Sequence, residues 1–373
     1  MTSFSQADRK SEHRPADPLY GGVGKTMILN GTTTTNLKGK NSMKNINISV
    51  DTGNKMMKTP HFVFPAGLTN HYGQEPVNVV DVEYIRCGKN YYTISEQHIP
   101  NVQDKSSDDS YNVLLMIAMA KELSVIGLDN LKDTDGVVRV TISLAVGLPI
   151  QHYKALTPTY MRNYRNGGAP YVFAYKPLGG KLTKYEITVS KVRVFPQGFA
   201  AAQSNADVKA IVRDGNAVII DIGGYTTDMC RMKNGAPTST ANRTFNSLGM
   251  NALYRDIANL LENALFVRFS DEAIDQILDP SKKTENLPKR ILEDCREMPR
   301  DYAKRLVNTI IFEEQVDFYT NKLIFVGGGS LRLRDYIEEA VKARGGKAYF
   351  IEDIKANAIG YQSLAADFAR IGK

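Results

Sequence analysis

The chain has 373 residues, 42% of them apolar, enough to bury one large core or two ordinary ones. Its net charge of +7 is spread over basic residues that never run longer than two, the pattern of a solvated surface rather than a nucleic-acid-binding tract. Cys87, Cys230 and Cys295 share no metal-ligand spacing, the histidines are dispersed, and no apolar run approaches the ~20 residues that span a bilayer. These features predict a soluble protein of the reducing cytoplasm, with no membrane segment and no direct nucleic-acid motif.

Residues 1–42 are polar, rich in Ser, Thr, Asn and Gly, and lack a period of 2.0 or 3.6. They are expected to be a disordered tail or a non-native extension, with Met43 as the natural start. Within them, Gly21-Gly22-Val23-Gly24-Lys25-Thr26 looks like a phosphate loop. Leu19 stands where a Walker loop needs Gly, Tyr20 where the ParA-type variant needs Lys, and no strand or helix pattern flanks it.

From Met43 the patterning predicts a strand at 45–50 and an extended stretch over 56–65. A hairpin over 77–97 follows, turning at Gly88-Lys89-Asn90, then a Ser/Asp-capped helix near 108–124. A long buried strand (137–150), a helix near 153–165, a hairpin around Gly179-Gly180 and a strand at 189–195 come next. Gly198 and the run Ala200-Ala201-Ala202 are expected to open a small-residue helix. The second half reads as strand 216–221, strand 226–232 paired with 239–245, and a helix over 249–265 with Leu253, Ile257, Leu260 and Leu261 on one face. Charged helical segments fill 271–316, and strand 322–326, helix 331–343, strand 348–352 and helix 357–369 close the chain. Strands and helices alternate in both halves, which predicts two α/β domains flanking a cleft.

Two loops, 170 residues apart, share one plan: INISVDTGNKMMK around Asp51 and AVIIDIGGYTTDM around Asp221. In each, an apolar strand ends in Asp, Gly follows two residues later (Gly53, Gly223), and a charged residue stands seven after the Asp (Lys58, Asp228). Gly permits a positive-φ turn and close approach to a ligand, and successive N–H groups make an anion-binding nest. A carboxylate just upstream repels a bare phosphate, so the pair makes sense with a cation between, gripping a metal–nucleotide tail from both sides. A third loop, KLIFVGGGSLRLRDYI, places Gly327, Gly328 and Gly329 between a strand and a helix, where a flat nucleoside can approach.

With these three loops in this order, the chain from about residue 43 onward resembles the actin-like ATPase superfamily, and within it the ParM-type plasmid-segregation filament proteins. The matching stretches are 48–58, 194–205, 217–229, 323–335 and 357–369. The resemblance implies two actin-like (ribonuclease H-like) domains flanking an interdomain nucleotide cleft: 43–205, completed by the helix at 357–373, and 206–356. It implies Mg²⁺ held by Asp51 and Asp221 through waters, because Mg²⁺ dehydrates reluctantly. The implied nucleotide contacts are Thr52, Gly53, Asn54 and Lys58, then Gly223, Gly224, Tyr225 and Thr226, with Gly327, Gly328 and Gly329 against adenine and ribose. Thr227 could add a hydroxyl contact or serve as a strand residue, and Asp228 is expected to be structural or in the metal's shell. Gln197, one residue after Pro196, takes the position from which the family orients the attacking water, so Gln197 and Asp221 are the catalytic candidates. The final helix is expected to return to the first domain.

The implied cofactors are ATP or GTP with Mg²⁺. The implied partners are further copies of the chain, in filaments, and a separate DNA-binding adaptor. A small-molecule kinase or another non-polymerising ATPase of the superfamily is the alternative, although a kinase needs a carboxylate base where Gln197 stands.

Overall fold

The computed structural model describes residues 46–371, apart from 77–80, 101, 128–130, 239–241, 283 and 285. The loop at Gly21–Thr26 and the start expected at Met43 lie outside the described residues. The described residues form one compact unit built on two sheets.

The first half supplies β1 (Ile46–Thr52), β2 (Met56–Lys58), β3 (Val63–Pro65), β4 (Gly67–Asn70), β5 (Tyr84–Cys87), β6 (Asn90–His98), β7 (Val138–Leu148), β8 (Tyr171–Lys176) and β9 (Thr183–Pro196). These form one sheet in the order β3-β2-β1-β7-β9-β8-β5-β6-β4. Its centre, β1-β7-β9, is parallel, and such strands are buried on both faces and read as apolar runs. Helix α1 (Asp109–Ile126) is apolar nearly all round and therefore buried; Asp108 caps it by accepting from Tyr111 N at 3.0 Å. Helix α2 (Ile150–Tyr164) follows β7.

The connecting segment departs from expectation. In place of one small-residue helix there are two: α3 (Phe199–Ala202) and α4 (Ala206–Arg213). Asn205 caps the second by accepting from Val208 N at 2.7 Å, and that side-chain bond competes with continuation of the first. The strand expected at 189–195 begins earlier, at Thr183, because alternation of buried and more exposed residues already holds over 183–189, ahead of a bulge at Ser190.

The second half supplies β10 (Asn216–Ile222), β11 (Thr227–Lys233), β12 (Ala236–Pro237), β13 (Arg243–Phe245), β14 (Asn321–Val326) and β15 (Ala348–Phe350). The sheet runs β12-β11-β10-β14-β15, with β13 on β11, and β10-β14-β15 is parallel. Around it lie α5 (Met250–Leu265), α6 (Asp271–Leu278), α7 (Lys289–Asn308), α8 (Gly328–Arg332) and α9 (Arg334–Lys342). Leu253, Ile257 and Leu261 of α5 are fully buried, and Leu260 packs at the edge of the same core.

Helix α10 (Ala356–Ile371) returns to the first sheet, where Tyr361 and Ala365 pack with Ala145 of β7, Phe195 of β9 and Ala200 of α3. Small residues make this possible: a Cβ on Gly360 would lie 1.8 Å from the Ala200 carbonyl oxygen. Among the described residues no helix is long and apolar enough to cross a membrane.

Candidate functional site: a cleft at the strand ends

In parallel α/β sheets, ligands bind beyond the carboxyl ends of the strands. The ends of β1, β7, β9, β10 and β14 here line one cleft of about 700 Å³. The residues implied to hold nucleotide or metal or to act in catalysis all reach it: Asp51, Thr52, Gly53, Asn54 and Lys58; Gln197; Asp221, Gly223, Gly224, Tyr225 and Thr226; and Gly327, Gly328 and Gly329. Asp228 reaches it too, but Thr227 does not.

The seven-residue spacing is a hairpin register. Asp51 on β1 faces Lys58 on β2, and Asp221 on β10 faces Asp228 on β11, so each loop is a β-hairpin with its Asp at the first strand's end. The glycines work differently from expectation. Gly53, Gly223 and Gly224 do not have positive φ; among the predicted glycines Gly327 does, at +92°. Space is what excludes a side chain in these loops. A Cβ on Gly53 would lie 2.4 Å from Met56 O, and one on Gly224 would press on Lys55 Cβ at 3.2 Å, where the two loops meet. At Gly327 a Cβ would sit 2.5 Å from Asp221 Oδ1, so the third loop crosses directly over the second carboxylate. Gly223 donates its N–H to Thr226 O at 2.9 Å, closing the turn, and that N–H is no longer available to an anion.

The carboxylates are held rather than loose. Asp51 is buried, accepts from Gln197 Nε2 at 3.0 Å and pairs with Lys58 Nζ at 3.5 Å. Asp221 accepts from Asn357 Nδ2 on α10 at 2.7 Å. Burial raises the Asp221 pKa, the Lys58 charge opposes that shift, and the Asp51 charge adds to it. Asp228 accepts from the hydroxyls of Thr226 (3.1 Å) and Thr244, and burial pushes it up to about 6. Both its oxygens are therefore engaged, one by the hairpin's own turn and the other by β13. The Thr226 hydroxyl is spent on this bond, and that of Thr227 is turned inward to Leu248 O, away from the cleft.

The donor set suits Mg²⁺. Among the described residues no group of three or more His, Cys, Asp and Glu could cage a metal. Two carboxylates on opposite walls, Asp51 and Asp221, leave the remaining positions to water and phosphate, the usual Mg²⁺ arrangement. Tyr361 is fully buried near both carboxylates and Gln197, and among the described residues its hydroxyl has no hydrogen bond of full geometry.

Several cleft residues carry no sequence signal. Lys105, just before α1, donates from Nζ to Thr52 O and lies 5.1 Å from the Tyr111 ring. Burial lowers its pKa to about 8. Tyr111 also fixes the first loop by donating to Asn54 Oδ1 at 3.3 Å. Lys55 crosses to the opposite wall, pairing with Asp271 of α6 at 3.2 Å over the Tyr254 ring. Beyond the glycines, Arg332 bonds Tyr254 Oη at 2.6 Å and Asp275, giving that end of the cleft an aromatic and charged lining.

Solved structures share this architecture along nearly their whole length. Ta0583, an archaeal actin homolog, superposes with a TM-score of 0.67 at 18% identity, covering 87% of this chain and 99% of that one. The subunit of a 15-stranded ParM filament from Clostridium botulinum gives 0.67 at 16% identity, covering 87% and 100%. The fold is actin-like. The actin-like protein Alp7A gives 0.65 at 18% identity, covering 88% and 98%, and residues 216–354 of this chain match the family of Alp7A C-terminal domains. No curated protein matches the chain in sequence. The expected actin-like architecture and the likeness to ParM-type proteins are thus borne out in the fold, and the matched family region runs from β10 past β15.

Proposed function

We propose that this actin-like protein binds ATP with Mg²⁺ in the cleft, hydrolyses it, and couples the nucleotide state to assembly into filaments. The observation that carries the reading is the convergence of three glycine loops and two opposed carboxylates on one cleft at the strand ends. Ta0583 has been solved in complex with ADP, at a TM-score of 0.63 and 17% identity, which supports a nucleotide as the ligand. The ParM filament supports self-association. Heterologous contacts that do not close into a ring generate such filaments. The ParM-type likeness supports extending this reading to a role in plasmid DNA segregation, in the cytoplasm and through a separate DNA-binding adaptor.

In this reading the phosphates lie between the two hairpins, with Lys58 and Lys105 offsetting their charge. Asp51 and Asp221 would hold Mg²⁺ through waters, and the metal, when bound, neutralises charge developing on the phosphates. Gln197, at the end of β9 and fixed by Asp51, orients the attacking water. An amide positions rather than abstracts a proton, so turnover is slow. Lys55 and Asp271 tie the two walls together when the cleft is closed.

Sedimentation with Mg-ATP against Mg-ADP, alongside phosphate release, tests the reading. Pelleting and hydrolysis with ATP, both lost in a folded Asp221→Ala protein, support it. Wild-type hydrolysis by Asp221→Ala would overturn the cleft assignment, and hydrolysis without pelleting at any concentration would favour a non-polymerising ATPase or kinase.

A further inference from the structure

Helix α10 does more than return the chain to the first sheet. Asn357 and Tyr361 are four residues apart, one helical turn, and both are buried. Asn357 joins two parts of the site: its Nδ2 donates to Asp221 Oδ2 at 2.7 Å, and its Oδ1 accepts from Gly198 N at 3.1 Å, the residue after Gln197. One turn on, the Tyr361 ring stacks on Phe195, two residues before Gln197, with centroids 6.2 Å apart and planes 14° from parallel.

The Tyr361 hydroxyl lies beneath the cleft lining, in a gap left by a missing side chain. A Cβ on Gly147, itself a cleft-lining residue at the end of β7, would lie 1.8 Å from Tyr361 Oη. The residue has no exposed surface, and Oη, though close to the Gln197 side chain, makes no hydrogen bond of full geometry to the described protein atoms. Around it are the Gln197 side chain and the carboxylates of Asp51 and Asp221. A phenol keeps its proton at neutral pH, so the hydroxyl is a donor. A buried donor without an acceptor is destabilising, and phenylalanine would fill the same volume without that penalty. The hydroxyl is therefore explained by what it faces rather than by packing.

We propose that Tyr361 is a positioning residue for hydrolysis, acting through Gln197. The Gln197 carboxamide donates from Nε2 to Asp51 at 3.0 Å, which fixes one end. Its oxygen carries two lone pairs: in the hydrolysing state one accepts from Tyr361 Oη, a bond not formed in the apo cleft, and the other holds the attacking water. Clamped at both ends, the carboxamide keeps that water in line, and a shift of α10 would loosen it. The inference rests on the reading of Gln197 as the water-orienting residue of a nucleotide hydrolase.

The test is Tyr361→Phe, which removes one oxygen. Phosphate release should fall about tenfold in kcat, while KM and Mg-ADP affinity stay within about twofold, as expected for a group that acts on the transition state. The apo-protein Tm should hold or rise. In a Gln197→Ala background the same substitution should have no further effect, because the two act as one unit. Unchanged turnover, an equal extra loss on top of Gln197→Ala, or a marked fall in Tm would each overturn the proposal. A wild-type protein that fails to bind Mg-ADP would overturn the nucleotide reading itself, a result distinct from any change confined to Tyr361→Phe.

Discussion

Lys105→Met isolates a charge that the fold carries at its own expense. The ammonium lies against Thr52 O and the Tyr111 ring, and enclosure there lowers its pKa from 10.5 to about 8. At about 1.36 kcal/mol per unit, holding that charge in the apo protein at pH 7 costs roughly 3 kcal/mol. Methionine fills similar volume without charge and gives up one hydrogen bond, worth about 1 kcal/mol. The variant should therefore be more stable than wild type by about 2 kcal/mol, with a Tm a few degrees higher. Its affinity for Mg-ATP should drop about 10–100-fold, the range for losing a charge-assisted contact to phosphate. The pH dependence follows from the same shift. Between about 8 and 10.5 the unfolded lysine holds its proton while the folded one has released it, so this group adds stability as pH rises through that window and withdraws it as pH falls to 8. Denaturant unfolding from pH 7 to 10.5 should show that rise in wild type and lose it in Lys105→Met. A variant less stable than wild type, or one that binds Mg-ATP equally well, would refute the assignment of Lys105 to the phosphates.

Gln197→Ala should lower phosphate release about 10–100-fold with little change in nucleotide affinity, and light scattering should show its ATP filaments outlasting wild type. Lys55→Ala removes a half-exposed pair, so unfolding should change by less than about 1 kcal/mol, whereas stopped-flow release of a fluorescent ADP should speed up at low salt and match wild type at high salt. Gly360→Ala drives a Cβ to 1.8 Å from a backbone oxygen, and calorimetry should register a loss of about 1–3 kcal/mol together with reduced turnover as α10 moves off α3.

The loops were legible because strand geometry fixes them locally. A strand, a short turn and its partner occupy a dozen residues, and antiparallel register ties Asp51 to Lys58 and Asp221 to Asp228 over seven positions. Such spacing survives in a linear sequence. The glycines were legible as exceptions but not for their reason: at Gly53 and Gly224 the constraint is the neighbouring backbone or the opposite loop, not φ. Only the assembled cleft supplies that information. The split between α3 and α4 was concealed because three alanines favour helix, and the Asn205 cap that ends the run is one polar residue among several.

What stayed hidden is the polar floor. Lys105 lies between Asp104 and Asp108, which read as caps of the turn and helix beside it, so nothing in the local pattern marks it for the cleft. Asn357 and Tyr361 sit on a helix whose periodicity describes packing, and an Asn or Tyr on a buried face is indistinguishable there from a satisfied core residue. Their role depends on two absences elsewhere: Gly147 on β7, which leaves room for Oη, and Gly360, which lets α10 approach α3. Each of these glycines is unremarkable in its own segment and meaningful only against a residue more than 150 positions away. The cleft thus joins two kinds of part. Its loops are short-range designs that announce themselves, whereas its floor is a long-range agreement among β7, β9 and α10. The chemistry assigned to Gln197 depends on that floor, because Gln197 is fixed on one side by Asp51 of the first loop and flanked on the other by Tyr361 of the last helix.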